Sequence, residues 1–192
     1  MIEEAIRKLR FDPKDIKLIL TCHGQNDHVG EHKYLQELTG AQVAMMAEDA
    51  ELLRTGGKSD FHSGNLPAYG FDAVKVDRVL RDVDTIKLGD VALTARLTPG
   101  HTKGATTWSI NVIEQGKIYT VVSPDGTGIN PGYHVAHNPY YAGIGDDYRR
   151  TFHILESIKP DIWLTAHTEV WNLAGKRERL ALVEVRVMDG FV

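Results

Sequence analysis

The chain of 192 residues predicts an α/β fold (α+β in some schemes), organised as one domain over residues 1–192. Three observations carry this. Ile16 to Leu20, Glu31 to Leu38 and Ala41 to Met46 follow one another as strand, helix and strand, the spacing of a βαβ unit with a parallel pair. From Val74 the texture turns to β, with hairpin signals at Gly89-Asp90 and Glu114-Gln115-Gly116. A helix-like segment and a last apolar run, Asp161 to Thr165, then close the pattern.

Each element has a local cause. Ile2, Ala5, Ile6 and Leu9 share one face of an amphipathic helix, which ends at Asp12-Pro13 because proline disfavours helix in the residue before it. Ile16 to Leu20 reads as a fully buried strand that delivers Thr21 to His28 at its C-terminal end. Thr39-Gly40 stops the next helix, and Ala47 to Arg54 forms another short one after the second strand. Thr55 to Gly70, with Gly56-Gly57, Gly64 and Pro67, breaks the pattern and is either a plain surface loop or a flap over a site. Lys75 to Leu80 alternates; Thr85 to Leu88 with Val91 to Thr98, and Thr106 to Val112 with Lys117 to Ser123, read as hairpins. Pro124 to Gly145 is a second long loop. Asp146 to Ile158 is a helix with Tyr148, Phe152 and Leu155 on its apolar side, closed by Pro160. Asp161 to Thr165 is a last buried strand, and Leu180 to Val192 gives one amphipathic stretch.

Composition excludes several classes of function. A hydrophobic content of 42% and a charged content of 25% are those of an ordinary globular protein. The net charge of -4, with no block of Lys or Arg, argues against a nucleic-acid surface. No apolar run approaches membrane-spanning length, and no signal peptide is visible. Cys22 is the only cysteine, which excludes an internal disulfide and a Cys-based zinc cluster. It reads as a small buried residue beside the site rather than a nucleophile.

The chemistry concentrates in Thr21-Cys22-His23-Gly24-Gln25-Asn26-Asp27-His28. Two imidazoles and a carboxylate within six positions, on a turn after a strand, are metal-ligand types; zinc accepts His nitrogen and Asp oxygen. His101 follows the strand end at Pro99-Gly100, and His167 comes two residues after the last strand. Loops at the carboxyl ends of strands converge in layered α/β proteins, so three such loops predict one shared metal pocket. His32 and His153 fall on helices and read as solvated or partly packed, and His134 and His137 as surface residues.

These motifs resemble the metallo-β-lactamase superfamily, and most closely the third subclass of class B β-lactamases. The family's His-x-His-x-Asp-His appears as His23-x-Gln25-x-Asp27-His28. Its later histidines appear as His101 in Thr98-Pro99-Gly100-His101-Thr102-Lys103-Gly104 and His167 in Leu164-Thr165-Ala166-His167. The resemblance extends to Thr107-Trp108, Asn130-Pro131-Gly132-Tyr133 and Asp146-Asp147-Tyr148-Arg149-Arg150. It implies an αββα sandwich, with strands missing ahead of the first metal motif, where this chain has one helix. It also implies a zinc hydrolase that opens β-lactam rings by attack of a zinc-bound hydroxide. One zinc would use His23, position 25 and His101; the other would use Asp27, His28 and His167, with Asp27 orienting the hydroxide.

Gln25 replaces a histidine, and its neutral amide oxygen is a weaker ligand. The chain is therefore expected to carry one zinc at Asp27, His28 and His167, or a first zinc held loosely by His23 and His101. Thr102 would support a ligand carboxylate, and Ser123 and Thr127 would hold the substrate carboxylate. Asp125 is either a metal ligand, as in glyoxalase-II-like and phosphodiesterase members, or a turn former with Gly126, which turn chemistry favours. The implied partner is a small β-lactam, not nucleic acid or membrane, and the relatives are exported to the periplasm. Alternatives are another hydrolase of the superfamily, acting on a thioester, lactone or phosphoester, or a zinc-binding protein without turnover.

Overall fold

The computed structural model describes residues 2–170 and 172–188, with side chains described through residue 181. Strands β1 (Leu18–Leu20), β2 (Gln42–Met46) and β3 (Arg78–Leu80) form a parallel sheet in that order, with Ile19 opposite Val43 and Met45 opposite Val79. Strand β2 is buried from Val43 to Met46 because both faces are covered, as parallel strands require. Side chains alternate across a strand, so the two faces meet different partners. Val43 and Met45 pack with Ile19 against Leu35 of α3 (His32–Thr39) and Leu52 and Leu53 of α4 (Ala50–Thr55). Ala44 and Met46 turn the other way, onto Ile86, Ala95, Leu97 and Trp108 of a second sheet. Helix, sheet and sheet are thus stacked as layers. Burying a side chain such as Met45 or Leu53 contributes about 1.5–3 kcal/mol.

The second sheet runs β4 (Asp84–Leu88), β5 (Val91–Leu97), β6 (Thr106–Glu114), β7 (Lys117–Ser123) and β8 (Ile162–Trp163). Its first four strands pair antiparallel through the two expected hairpins, and β8 joins β7 in parallel. Helix α5 (Ile144–Ser157) is tied to the end of β5, where Thr151 Oγ1 donates to Pro99 O at 2.6 Å. The two sheets are pinned at the start of the metal-type motif. Thr106 N donates to Cys22 O at 2.7 Å, and Trp108 Nε1 donates to Thr21 O at 3.1 Å.

Four expectations change. Helix α1 (Ile2–Lys8) forms, but its apolar face is not packed: Ile2 is 42% and Leu9 70% exposed. The last strand shrinks to two residues and is an edge, with Ile162 39% and Trp163 42% exposed, because among the described residues only β7 pairs with it. The alternating run Lys75 to Leu80 supplies only the three-residue β3, parallel to β2. Phe152 is exposed, resting on Tyr148 instead of entering the core. Of the stretch Leu180 to Val192, the part to Met188 belongs to α6 (Leu173–Met188) and residues 189–192 lie outside the described residues.

Candidate metal centre

Between β1 and the short helix α2 (Asn26–Val29) the chain presses against α4 so closely that only glycine fits at position 24. A Cβ there would stand 2.8 Å from that of Leu52. This fixes the flanking His23 and Gln25 in place. Rings then gather from three strand ends. His23 lies 3.8 Å from His28 and 4.7 Å from His101 between ring centroids, and His28 lies 5.1 Å from His167. His28 Nε2 and His167 Nε2 are 3.2 Å apart, and Asp27 Oδ2 stands 3.5 Å from the first and 3.6 Å from the second. His101 Nδ1 is 2.7 Å from Gly128 O. A carbonyl only accepts, so that nitrogen carries the proton and Nε2 keeps its lone pair.

Electrostatics favour neutral rings. Burial holds His23 well below the usual imidazole range, and the nearby His28, His101 and His167 push the same way. Burial also lowers His28, against the pull of Asp125 and Asp27. Neutral imidazoles offering lone pairs beside carboxylates are a donor set suited to a divalent transition ion. Two groups of three can hold one: Asp27, His28 and His167, and His23, His28 and Asp125. Among the described residues Asp125 Oδ2 is buried without a hydrogen-bond partner, which is the condition of an oxygen waiting for a cation or an N–H donor. Burial, reinforced by Asp125, pushes the Cys22 thiol up to about 12, so it stays protonated, in keeping with a packing role.

The predicted residues separate into those the fold brings together and those it does not. His23, Asp27, His28, His101 and His167 converge. Gln25 is committed elsewhere, its Nε2 donating to Asp60 Oδ2 at 3.3 Å and Tyr133 Oη at 3.1 Å, while Tyr133 Oη donates to His101 O at 2.9 Å. Only its amide oxygen remains to face a metal. Ser123 and Thr127 do not line the cavity beside the histidines. Ser123 is still in β7, in register with Trp108, and Thr127 is exposed beyond the turn. That cavity, of about 510 Å³, is lined by Gln25, Asp27, Tyr69, Asn130, His101 and His167. His62, Leu66 and Tyr69 also line it, so the segment Thr55 to Gly70 is a flap over the site. A larger hollow of about 840 Å³ beside the same segment contains no histidine. Residues His134, His137 and His153 are exposed, as expected, but His32 is buried.

One residue had no sequence signal. Asp49, buried at the start of α4, accepts from Thr102 Oγ1 at 2.5 Å, Gly104 N at 2.7 Å and Gly24 N at 3.1 Å. It clasps the His23 loop to the His101 loop. Thr102 therefore supports this carboxylate, not one of the candidate ligands. Burial raises Asp49 to about 6, against the three donors.

The metallo-β-lactamase superfamily model matches residues 1–111. This chain belongs to that superfamily. Among solved structures it is similar to the FEZ-1 metallo-β-lactamase of Legionella gormanii, at 39% identity and a TM-score of 0.90 over 94% of this chain and 69% of that one. It is also similar to LRA-12, a class B3 di-zinc metallo-β-lactamase from an Alaskan soil metagenome, at 30% identity and a TM-score of 0.85, covering 91% of this chain and 66% of that one. A curated relative, a probable metallo-hydrolase of Burkholderia pseudomallei, is 32% identical over 95 residues, 50% of this chain. The chain spans only 31% of that relative's length. Among the described residues no helix is long and apolar enough to cross a membrane.

Proposed function

We propose that this chain is a zinc-dependent hydrolase that opens β-lactam rings, with one zinc held by Asp27, His28 and His167. The observation that carries it is the convergence of Asp27 Oδ2, His28 Nε2 and His167 Nε2 within 3.2–3.6 Å of one another at the wall of an open cavity. The β-lactamases FEZ-1 and LRA-12 support the substrate class, since they share the fold over nearly all of this chain. Three protein ligands leave the fourth position of a tetrahedral site for water, the arrangement of a catalytic zinc. Zinc supplies Lewis acidity and brings the pKa of a bound water towards neutrality.

The chain's own groups do the rest. Asp27, on the solvent side, would help hold the ion and orient its water. His101 lines the cavity, and the buried His23 lies behind it at 4.7 Å between ring centroids. Gln25 leaves the first zinc position of the two-zinc pattern short of an imidazole, so a second ion there is held loosely or not at all.

A chromogenic cephalosporin and an S-acylglutathione, assayed on the same zinc-loaded preparation, test the substrate class. Cephalosporin turnover abolished by a chelator is expected. Turnover of the thioester alone would transfer the chain to the broader metallo-hydrolase class of its curated relative.

A further inference from the structure

The two groups of metal-ligating side chains share one imidazole, and that sharing decides the role of Asp125. His28 faces Asp27 and His167 through Nε2, while its Nδ1 lies 3.5 Å from Asp125 Oδ2. An imidazole that gives its Nε2 lone pair to a cation carries its proton on Nδ1. The His28 side chain is only 7% exposed, so that proton needs an acceptor from the protein.

Asp125 supplies it. The residue is 7% exposed. Its Oδ1 accepts from Gly126 N at 2.9 Å, and its Oδ2, turned towards His28, has no hydrogen-bond partner among the described residues. The backbone holds this placement. Gly126 has a φ of +72°, and a Cβ there would stand 3.1 Å from the Cβ of His101, so this loop is seated against the site. An unpaired buried carboxylate oxygen is costly, and a shift of a few tenths of an ångström makes the contact a hydrogen bond.

We propose that Asp125 is a positioning residue of the metal centre: it accepts a hydrogen bond from His28 Nδ1–H and so fixes the ring's tautomer and aims Nε2 between Asp27 and His167. This rests on the zinc site proposed above. Direct ligation by Asp125 is the competing use of the same carboxylate, with His23 and His28 as its companions. It draws on the same ring, and one neutral imidazole cannot serve two cations.

Asp125→Ala and Asp125→Asn separate the possibilities, with zinc affinity read by competition against a chromogenic chelator. Loss of a carboxylate behind a ligand histidine lowers metal affinity by about 10–100-fold. Asp125→Ala is expected in that range, and Asp125→Asn between it and the parent, since an amide oxygen still accepts a hydrogen bond. In the cobalt-loaded proteins the visible ligand-field bands should keep their positions, because the ligand set is unchanged. The exchangeable, hyperfine-shifted N–H signal of His28 should be lost in Asp125→Ala and retained in Asp125→Asn. Parent-like affinity in Asp125→Ala overturns the proposal, and so do ligand-field bands that report a lost ligand. A parent protein that binds no zinc at all defeats the metal site itself, and the role of Asp125 with it.

Discussion

His32 sits in the first turn of α3, 5% exposed, with neither ring nitrogen hydrogen-bonded among the described residues. Burial, with a smaller push from His28, lowers it from 6.5 to about 4. The unfolded chain takes up a proton near 6.5 and the native state refuses it until about 4, so folding stability is lost as pH falls through that window. Above the window both states are neutral and the residue adds no pH dependence. The interval of about two and a half pH units corresponds to about 3 kcal/mol, at about 1.4 kcal/mol per unit. Leucine has a similar volume and no proton to bind, so His32→Leu should remove this loss. Urea unfolding of both proteins, with chelator present and the buried Trp108 as the fluorophore, gives the comparison. The variant should gain on the parent steadily from pH 7 to pH 4, by about 3 kcal/mol in total. A stability difference that is the same at both ends would refute the burial of an unpartnered, neutral His32.

Three further outcomes follow from the site. Gln25→His gives up the amide donor to Asp60 and Tyr133 but sets a third imidazole beside His23 and His101. Zinc measured by mass spectrometry should rise from one towards two per chain, and unchanged stoichiometry and turnover would mean that position 25 does not face that site. Asp49→Ala strands the Gly24 and Gly104 amides and the Thr102 hydroxyl. At about 1–3 kcal/mol for each buried group left unpaired, offset by removing a buried carboxylate, the expected loss of unfolding free energy is about 3 kcal/mol, with weaker zinc binding. A loss under about 1 kcal/mol in urea titrations would contradict the clasp. Asp27→Ala should abolish nearly all hydrolysis, and substantial retained turnover would remove Asp27 from its role.

What could be read in the sequence was local. Apolar runs of strand length, punctuated by Gly and Pro, located β1, β2 and the hairpins β4–β5 and β6–β7 within a residue or two. Because these histidines lie in the segments that follow β1, β5 and β8, the convergence of His23, His28, His101 and His167 came with the layered fold. The missed features depend on distant partners. Asp49 reaches groups 25, 53 and 55 positions away, and nothing in Ala47 to Arg54 marks its side chain as anything but a helix-start carboxylate. Asp125 with Gly126 has turn chemistry on paper; in the structure Gly126 takes a left-handed φ and donates to Asp125 Oδ1, within an irregular loop. The second fact, an oxygen aimed at His28, exists only once β7 and the His28 loop are side by side. Ser123 ends β7 in register with Trp108 and is not among the residues lining the cavity, which the loop sequence alone could not show. Helix periodicity placed His32 on α3 but could not say how far the neighbouring strands would cover it.

A zinc titration of the metal-free protein, followed by cephalosporin turnover at each step, bears most directly on a single-zinc β-lactam hydrolase at Asp27, His28 and His167. Activity should rise linearly and saturate at one equivalent per chain. Turnover that appears only as a second equivalent is taken up, or none at full zinc occupancy, would contradict it.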